Sequence, residues 1–324
     1  MTVIFSTHPL HPEVSRDLAG MGELRVSSAP TPAAIAAESA GAEIIVVRAP
    51  IAPEILRREA ALRACVRHGA GLDMIPVDVA TEAGVLVANV PGANAVTVAE
   101  HVIWSSMALL RKHPAVRADW LADGWEAGRR HADSGRELSG RVLGIIGMGN
   151  VGRALFGMAR HGFGMRVLSL TRTPSRLPEG AEAADLDGLL ANSDVVALCC
   201  PLTDETRGLI DGAALARMRP GTVLVNVSRG PVVDESALVE ALRSGHLGGA
   251  AVDIFSEQPL PAGHPLMSLD NVILTPHMAG ITEESMLRMG QGVVTAVRQI
   301  LAGELPDTLC NPGAVDAYRG RFRD

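Results

Sequence analysis

Short apolar runs rich in Val, Ile and Leu recur along the chain, separated by longer Ala/Leu-containing stretches with interspersed polar positions. In the first hundred residues these runs are VIFS (3–6), IIVV (44–47), LRACV (62–66) and VLVANV (85–90), with PTPAAIAAESA and PEILRREA lying between as helices. A second series passes through VLGIIG (142–147), MRVLSL (165–170), DVVALC (194–199), TVLVNV (222–227), GAAVDI (249–254) and NVILTP (271–276). Apolar strands that alternate with helices predict parallel sheets covered on both faces, the α/β class. Between the two series, TVAEHVIWSSMALLRK predicts a long helix up to Lys112, with a break or kink at Pro114. A further helix is predicted over 283–303, ending at Gly303.

Length and charge narrow the classes. The chain has 324 residues, 47% hydrophobic and 20% charged, which suggests two globular domains. A net charge of −7 without a basic run offers nothing to nucleic acid or to an anionic membrane. No uninterrupted apolar stretch approaches the roughly 20 residues of a membrane span, and MTVIFSTHPLHPEV does not read as a signal peptide. Cys65, Cys199, Cys200 and Cys310 form no CxxC pair for a metal, and Cys199 and Cys200 read as buried strand thiols. These features predict a soluble, cytoplasmic protein with no metal.

The strongest local chemical signal is GIIGMGNVGRALFG. Gly147, Gly149 and Gly152 form GxGxxG immediately after a predicted strand, with Met148, Asn150 and Val151 between them at the mouth of a helix. The first glycine permits a tight turn, the second lets the backbone approach a pyrophosphate, and the third allows helix and strand to pack closely. About 20 residues later, an acidic residue would receive the ribose hydroxyl of NAD. This chain has Thr171, Arg172, Thr173 and Arg176 there. Hydroxyls and guanidiniums pair well with phosphate oxygens, so the reading is NADP(H) preferred with NAD(H) possible; a solvated basic turn is the alternative.

Four further segments, RHGAGLDMIPVDVATEAGVLVANVPGANAVTVAEH (67–101), VNVSRGPVVDESAL (225–238), AVDIFSEQPLPAGHPL (251–266) and TPHMAGITEES (275–285), flank or follow this loop. In this order they resemble the D-isomer-specific 2-hydroxyacid dehydrogenases. The resemblance implies two doubly wound parallel-sheet domains, a Rossmann-type nucleotide domain inserted into a flavodoxin-like substrate domain. The corresponding boundaries are 1–98 plus 286–324 for the substrate domain and 99–285 for the nucleotide domain. It also implies a homodimer formed through about 101–140 and a small 2-ketoacid or 2-hydroxyacid as the partner molecule.

Residue by residue, the resemblance makes Arg229 the catalytic arginine, in Asn226-Val227-Ser228-Arg229-Gly230, and His277 the acid/base. It places Asp253 at the nicotinamide carboxamide and Pro201 and Thr206 along the adenosine half of the cofactor, with Val227 and Ser228 also lining it. The amides of Ala70 and Gly71 would hold the substrate carboxylate, and Arg48 would grip a second acidic group or lie as a solvated strand end.

The family pattern D-V-F-x-x-E-P carries the glutamate that supports the histidine. Aligning Asp253, Phe255 and Pro259 puts Gln258 at that position and Glu257 one residue early. In an extended segment a one-residue offset points the side chain the other way. The expected partner of His277 is therefore an amide, which can orient the ring but stabilises imidazolium less than a carboxylate does. Ketoacid reduction should then fade at a lower pH than in a glutamate-bearing relative. The favoured substrates are glyoxylate or hydroxypyruvate. The alternatives are a phosphoglycerate-like substrate with a second anion, formate (whose dehydrogenases pair histidine with glutamine) and a non-catalytic NAD(P)-sensing protein of the corepressor kind.

Overall fold

The computed structural model describes residues 1–322. The first strands and helices are β1 (Val3–Ser6), α1 (Pro12–Ala19), β2 (Glu23–Val26), α2 (Pro32–Glu38), β3 (Ile44–Val47) and α3 (Pro53–Arg58). They continue with β4 (Ala64–Arg67), α4 (Val77–Glu82) and β5 (Leu86–Ala88). Three helices follow, α5 (Ala95–Leu110), α6 (His113–Asp123) and α7 (Trp125–Arg129). The next series is β6 (Val142–Ile146), α8 (Asn150–Gly157), β7 (Arg166–Leu170), β8 (Ala181–Ala183), α9 (Leu186–Asn192) and β9 (Val195–Leu198). Then come α10 (Gly212–Arg217), β10 (Val223–Asn226), α11 (Glu235–Arg243), β11 (Gly249–Val252) and β12 (Val272–Leu274). The chain closes with α12 (Glu283–Leu301) and α13 (Val315–Arg321).

Two units result. The first comprises Met1–Asn94 and the segment from Ile281 onward. Its five strands are all parallel in the order β2-β1-β3-β4-β5, which is flavodoxin-like. Strand β3, Ile-Ile-Val-Val, is buried at every position because helices cover both faces. Helices α1 and α12 pack together where Gly290 meets Val14; an added Cβ would come within 2.2 Å of that side chain.

The second unit, Ala95–Gly280, holds seven parallel strands in the order β12-β11-β10-β9-β6-β7-β8. Counted from β6, that is the doubly wound dinucleotide-binding order 3-2-1-4-5-6 with one strand added. The predicted α/β class and both sheet types are therefore observed. The strands missed in sequence, β2 and β8, are edge strands with mixed or polar composition, ELRV and AEA, and exposed positions. Cys199 and Cys200 lie just beyond β9 rather than within it.

The divisions fall at 94/95 and 280/281, four and five residues before the boundaries expected from sequence. Helix α5 starts at Ala95 and packs on β10 and β11, so its first turn belongs to the second unit. At the other boundary, α12 begins with a capping box in which Thr282 and Ser285 satisfy each other's backbone N–H, so that turn belongs to the first unit. The last two residues of the expected 286–324 segment lie outside the described residues. The break anticipated at Pro114 comes two residues earlier: Lys112 takes a left-handed conformation (φ 54°), and Pro114 lies in the first turn of α6.

One buried side chain makes the first unit acid-sensitive. His68, just after β4, is 3% exposed, and its Nε2 has no hydrogen-bond partner among the described residues. Burial, and then the nearby Arg48 charge, hold its imidazole down at about 4, against 6.5 for an ordinary histidine. Below 6.5 the unfolded chain takes up a proton that the folded chain refuses until about 4. Stability present above 6.5 is thus lost as the pH falls toward 4, by on the order of 3 kcal/mol. Urea midpoints at pH 7.5 and 4.5 should fall less steeply in His68→Phe than in the parent; equal slopes would rule this account out.

Candidate functional site

In the second unit, the turns that follow β6, β7, β9, β10, β11 and β12 carry nearly all the residues singled out from sequence. This is the edge at which open α/β sheets bind ligands. In the β6–α8 turn, Gly147 has φ 100°, and a Cβ there would come within 2.6 Å of the Cys200 amide nitrogen. Gly152 lies under the turn, where a Cβ would be 2.3 Å from the Gly147 carbonyl oxygen. Gly149, at the N-cap of α8, has no atom within 4 Å of an added Cβ. The first and third glycines are thus demanded by packing, while the second faces open space beside a helix N-terminus, which fits a pyrophosphate. Met148 is buried, and Asn150 and Val151 form the first turn of α8.

Thr171, Arg172, Thr173 and Arg176 follow β7. The Thr171 hydroxyl accepts from the Thr173 amide (3.3 Å), which curls the turn, and Arg172 and Arg176 are exposed. A carboxylate that the sequence reading passed over sits nearby. The Thr203 hydroxyl, backbone hydrogen bonding and a smaller contribution from the Arg172 charge hold the Glu205 carboxyl below its usual range. In the β9 turn, the Thr206 hydroxyl donates to the Pro201 carbonyl (2.7 Å) and accepts from the Thr203 amide (2.8 Å). Its side chain therefore shapes the loop.

After β10, the buried Asn226 side chain folds the next three residues: Oδ1 accepts from the Ser228 amide (3.0 Å) and Nδ2 donates to the Arg229 carbonyl (3.1 Å). Val227 is partly buried, and the buried Ser228 hydroxyl donates to the Cys200 carbonyl. Arg229 Nη1 donates to the Ser228 carbonyl at 2.7 Å. Gly230 admits no side chain, because a Cβ would lie 2.1 Å from the Phe255 carbonyl carbon. The turns after β10 and β11 are thus pressed together.

Asp253, 2% exposed, accepts from the Thr275 hydroxyl (2.6 Å) and from the amides of Met278 (2.8 Å) and Ala279 (3.0 Å). A carboxylate offers about four acceptor positions, and three are taken up by the turn after β12. His101 on α5 is near enough to feel this charge; burial pushes its imidazole down and Asp253 partly restores it.

His277 lies in that turn with φ 54°, a left-handed conformation uncommon for a side-chain-bearing residue. Its amide donates to the carbonyls of Asp253 (2.9 Å) and Thr275 (3.0 Å). The imidazole Nδ1 is 3.1 Å from Gln258 Oε1, and Gln258 Nε2 donates to the Phe255 carbonyl (3.1 Å). That second bond fixes which end of the amide faces the ring. Nδ1 must therefore carry the proton. Glu257 takes no part in this pair.

In the first unit, Arg67 donates to the carbonyls of Val47 (3.0 Å), His68 (2.6 Å) and Gly71 (3.0 Å). Val90 and Asn89 donate to the carbonyls of Gly69 (2.9 Å) and Ala70 (2.8 Å). Every carbonyl from His68 to Gly71 is thus engaged, whereas no described group accepts from the amides of Ala70 and Gly71. Two successive backbone N–H groups are thereby left to point at a common partner, as in anion-binding turns. Arg48 is half-buried, and its guanidinium donates to the Pro9 carbonyl and lies 3.3 Å from His8 Nδ1 and 3.6 Å from Met286 Sδ. It is not a freely solvated strand end.

Sequence reading missed His68, Glu205 and Glu235. Glu235 follows Asp234 in the quoted VVDESAL, where an acidic pair at a helix start reads as capping.

A family model described as D-isomer specific 2-hydroxyacid dehydrogenase, NAD binding domain, matches residues 103–279. The chain is 34% identical to the D-3-phosphoglycerate dehydrogenase of Methanocaldococcus jannaschii over 317 residues, 96% of this chain but only 60% of that relative. It is 38% identical to the glyoxylate reductase of Korarchaeum cryptofilum over 272 residues, 82% of this chain and 81% of the relative. The structure of an NADPH-dependent glyoxylate/hydroxypyruvate reductase from Sinorhizobium meliloti superposes with a TM-score of 0.83 at 26% identity, covering 97% and 99% of the two chains.

The glycine geometry separates packing from binding. Gly152→Ala should lower stability by about 1–3 kcal/mol, as overpacking does. Gly149→Ala should leave the thermal midpoint unchanged yet weaken nicotinamide dinucleotide binding about tenfold, roughly 1.4 kcal/mol. Thermal melts and cofactor fluorescence titrations measure the two effects; equal behaviour of the variants would contradict this division.

Proposed function

The chain belongs to the D-isomer specific 2-hydroxyacid dehydrogenase family, and on that premise we propose that it interconverts a small 2-ketoacid, glyoxylate or hydroxypyruvate in type, and its D-2-hydroxyacid. The observation that carries this reading is the oriented pair of His277 and Gln258 in the turn that follows β12. Gly147, Gly149 and Gly152 with the N-terminus of α8 would hold the dinucleotide pyrophosphate. The bound dinucleotide would supply the hydride for reduction or receive it in oxidation.

The protein's own groups do the rest. Arg229 offers a fork of donors to the keto oxygen and carboxylate, and stabilises negative charge as it grows on that oxygen. His277, protonated on both nitrogens, gives the Nε2 proton to the new alkoxide while Gln258 retains Nδ1–H; in the reverse direction Nε2 takes the proton back. One hydride and one proton are thereby added across C=O. The amides of Ala70 and Gly71 are the proposed hold on the substrate carboxylate.

NADP(H) is the preferred cofactor in this reading and NAD(H) the second. Support comes from Thr171, Arg172, Thr173 and Arg176 after β7 and from the NADPH dependence named for the Sinorhizobium relative. Glu205 tempers the preference by placing negative charge near Arg172. A substrate with a second anionic group is the competing reading, favoured by the relatives named phosphoglycerate dehydrogenase. Arg48 would serve it only by giving up its contacts with Pro9, His8 and Met286.

No helix among the described residues is long and apolar enough to cross a membrane, and the four free thiols accord with a reducing cytoplasm, where we place the protein. We also propose a homodimer formed through the α5–α7 region. Trp104, Trp120 and Trp125 are 50%, 53% and 61% exposed there, beside the exposed Leu121, and α6 buries none of its residues. An exposed apolar face of this kind marks an association surface.

Initial rates should show glyoxylate or hydroxypyruvate reduction that is faster with NADPH than with NADH. Arg172→Ala should raise the KM for NADPH about tenfold, the loss of one charge-assisted phosphate contact, with little change for NADH. Absence of turnover with both cofactors would redirect the search to formate oxidation and then to a sensing role. Light scattering after gel filtration should give a two-chain particle, and Trp120→Asp combined with Leu121→Asp should give single chains; a monomeric parent would refute the dimer.

A further inference from the structure

Glu235 is the first residue of α11, and Asp234 caps that helix by accepting from the Ala237 amide (3.0 Å). Glu235 is therefore not needed as the cap. Its Oε1 accepts from the Ser256 amide at 2.6 Å, and its Oε2 lies 3.6 Å from His264 Nε2. His264 is itself oriented, since its Nδ1 accepts from the Leu266 amide (3.3 Å). One partly buried carboxylate thus holds both ends of the segment 256–264, and Gln258 lies within that segment.

The Ser256 N–H and the Phe255 C=O are the two ends of one peptide group. The N–H end donates to Glu235, and the C=O end accepts from Gln258 Nε2 at 3.1 Å. At the far end of the Gln258 amide, Oε1 faces His277 Nδ1 at 3.1 Å. Each bond runs donor to acceptor in the same sense, from imidazole N–H to amide to peptide to carboxylate. Aligned chains of this kind polarise one another.

We infer that Glu235 is a positioning residue for the acid–base pair, linked to His277 through two amides in series and stabilising its protonated ring by polarising them. The inference rests on the reading of His277 as the proton donor only for its consequence in turnover; the linkage itself is independent of substrate. The other charged or titratable groups around this turn are Asp253 beneath 275–279, Glu257 beside Gln258, Arg229 after β10 and His101 on α5. Around Glu235, among the described residues, they are Asp234, Glu240, Arg243 and His264. The Asp253 side chain bonds Thr275, Met278 and Ala279 and makes no contact with Glu235, so its hydrogen bonds persist when Glu235 is changed.

The test is the titration of the His277 imidazole in isotope-labelled full-length protein, followed by NMR and assigned with His277→Asn. Glu235→Gln retains an oxygen to accept from Ser256 N–H but removes the charge. The expected result is a His277 midpoint lower by about 0.3 pH unit or more, the field of one charge passed over several bonds. In a Gln258→Glu background, where residue 258 has no N–H to donate to Phe255, the same substitution should move the midpoint by half as much or less. An unmoved midpoint in Glu235→Gln, or equal shifts in both backgrounds, would overturn the relay. The pH limb of ketoacid reduction should move with the NMR midpoint. A shifted titration in a protein that reduces no ketoacid would leave the relay standing and refute the proposed reaction instead.

Discussion

A carboxylate that is 2% exposed is tolerated only when its oxygens are hydrogen-bonded, and Asp253 meets that condition with Thr275, Met278 and Ala279. This requirement shapes the turn around His277. Its backbone φ of 54° would cost about 1–3 kcal/mol if unsupported. The support comes from one residue used twice: the Asp253 side chain gathers the amides on one flank of the turn, and its backbone carbonyl takes the His277 amide itself. Asp253 is in turn tied by its own N–H to Asn226, whose side chain folds the Arg229 turn. The arginine and the histidine are thereby set by the ends of β10 and β12, joined through β11 between them, rather than by independent loops.

The same economy explains the glycines. Parallel strands bring successive turns to one edge, where backbones must pass close to each other. Gly230 is required because the Phe255–Ser256 peptide lies against it, and Gly147 because the chain after β9 passes beneath it. Neither position depends on a ligand. Gly149 is different: no described atom lies within 4 Å of an added Cβ there, so packing does not account for its small size. This GxGxxG motif therefore contains two structural demands and one position that packing leaves open.

Much of this was legible in the sequence, for identifiable reasons. Buried parallel strands read as unbroken apolar runs, so both central sheets could be anticipated, whereas β2 and β8 lie at edges and have no such run. Arg229, Gln258 and His277 stand in motifs whose order is informative. The internal hydrogen bonds of Asp253 and Thr206 were harder to read, because a motif shows that a polar side chain is needed without showing which groups of the chain it bonds. Glu235 was invisible for a related reason: its partner lies 21 positions away and is a backbone N–H, which leaves no trace in residue identity. The domain boundaries shifted because helices are assigned to units by the faces they bury.

Gln258 can now be understood in terms of its neighbours rather than as a missing glutamate. A carboxylate at 258 could accept from His277 Nδ1, but it has nothing to donate to the Phe255 carbonyl. It would also place a second negative charge on a segment already held by Glu235. The amide does both jobs: it donates to Phe255 and accepts from His277, so it fixes the ring and continues the hydrogen-bond sequence that starts at Glu235. Two carboxylates close together would raise each other's proton affinity, and the charge gained at 258 would be partly offset at 235. Keeping the charge at one remove, with neutral amides between, gives His277 an oriented partner while leaving a single carboxylate to hold the segment that carries it.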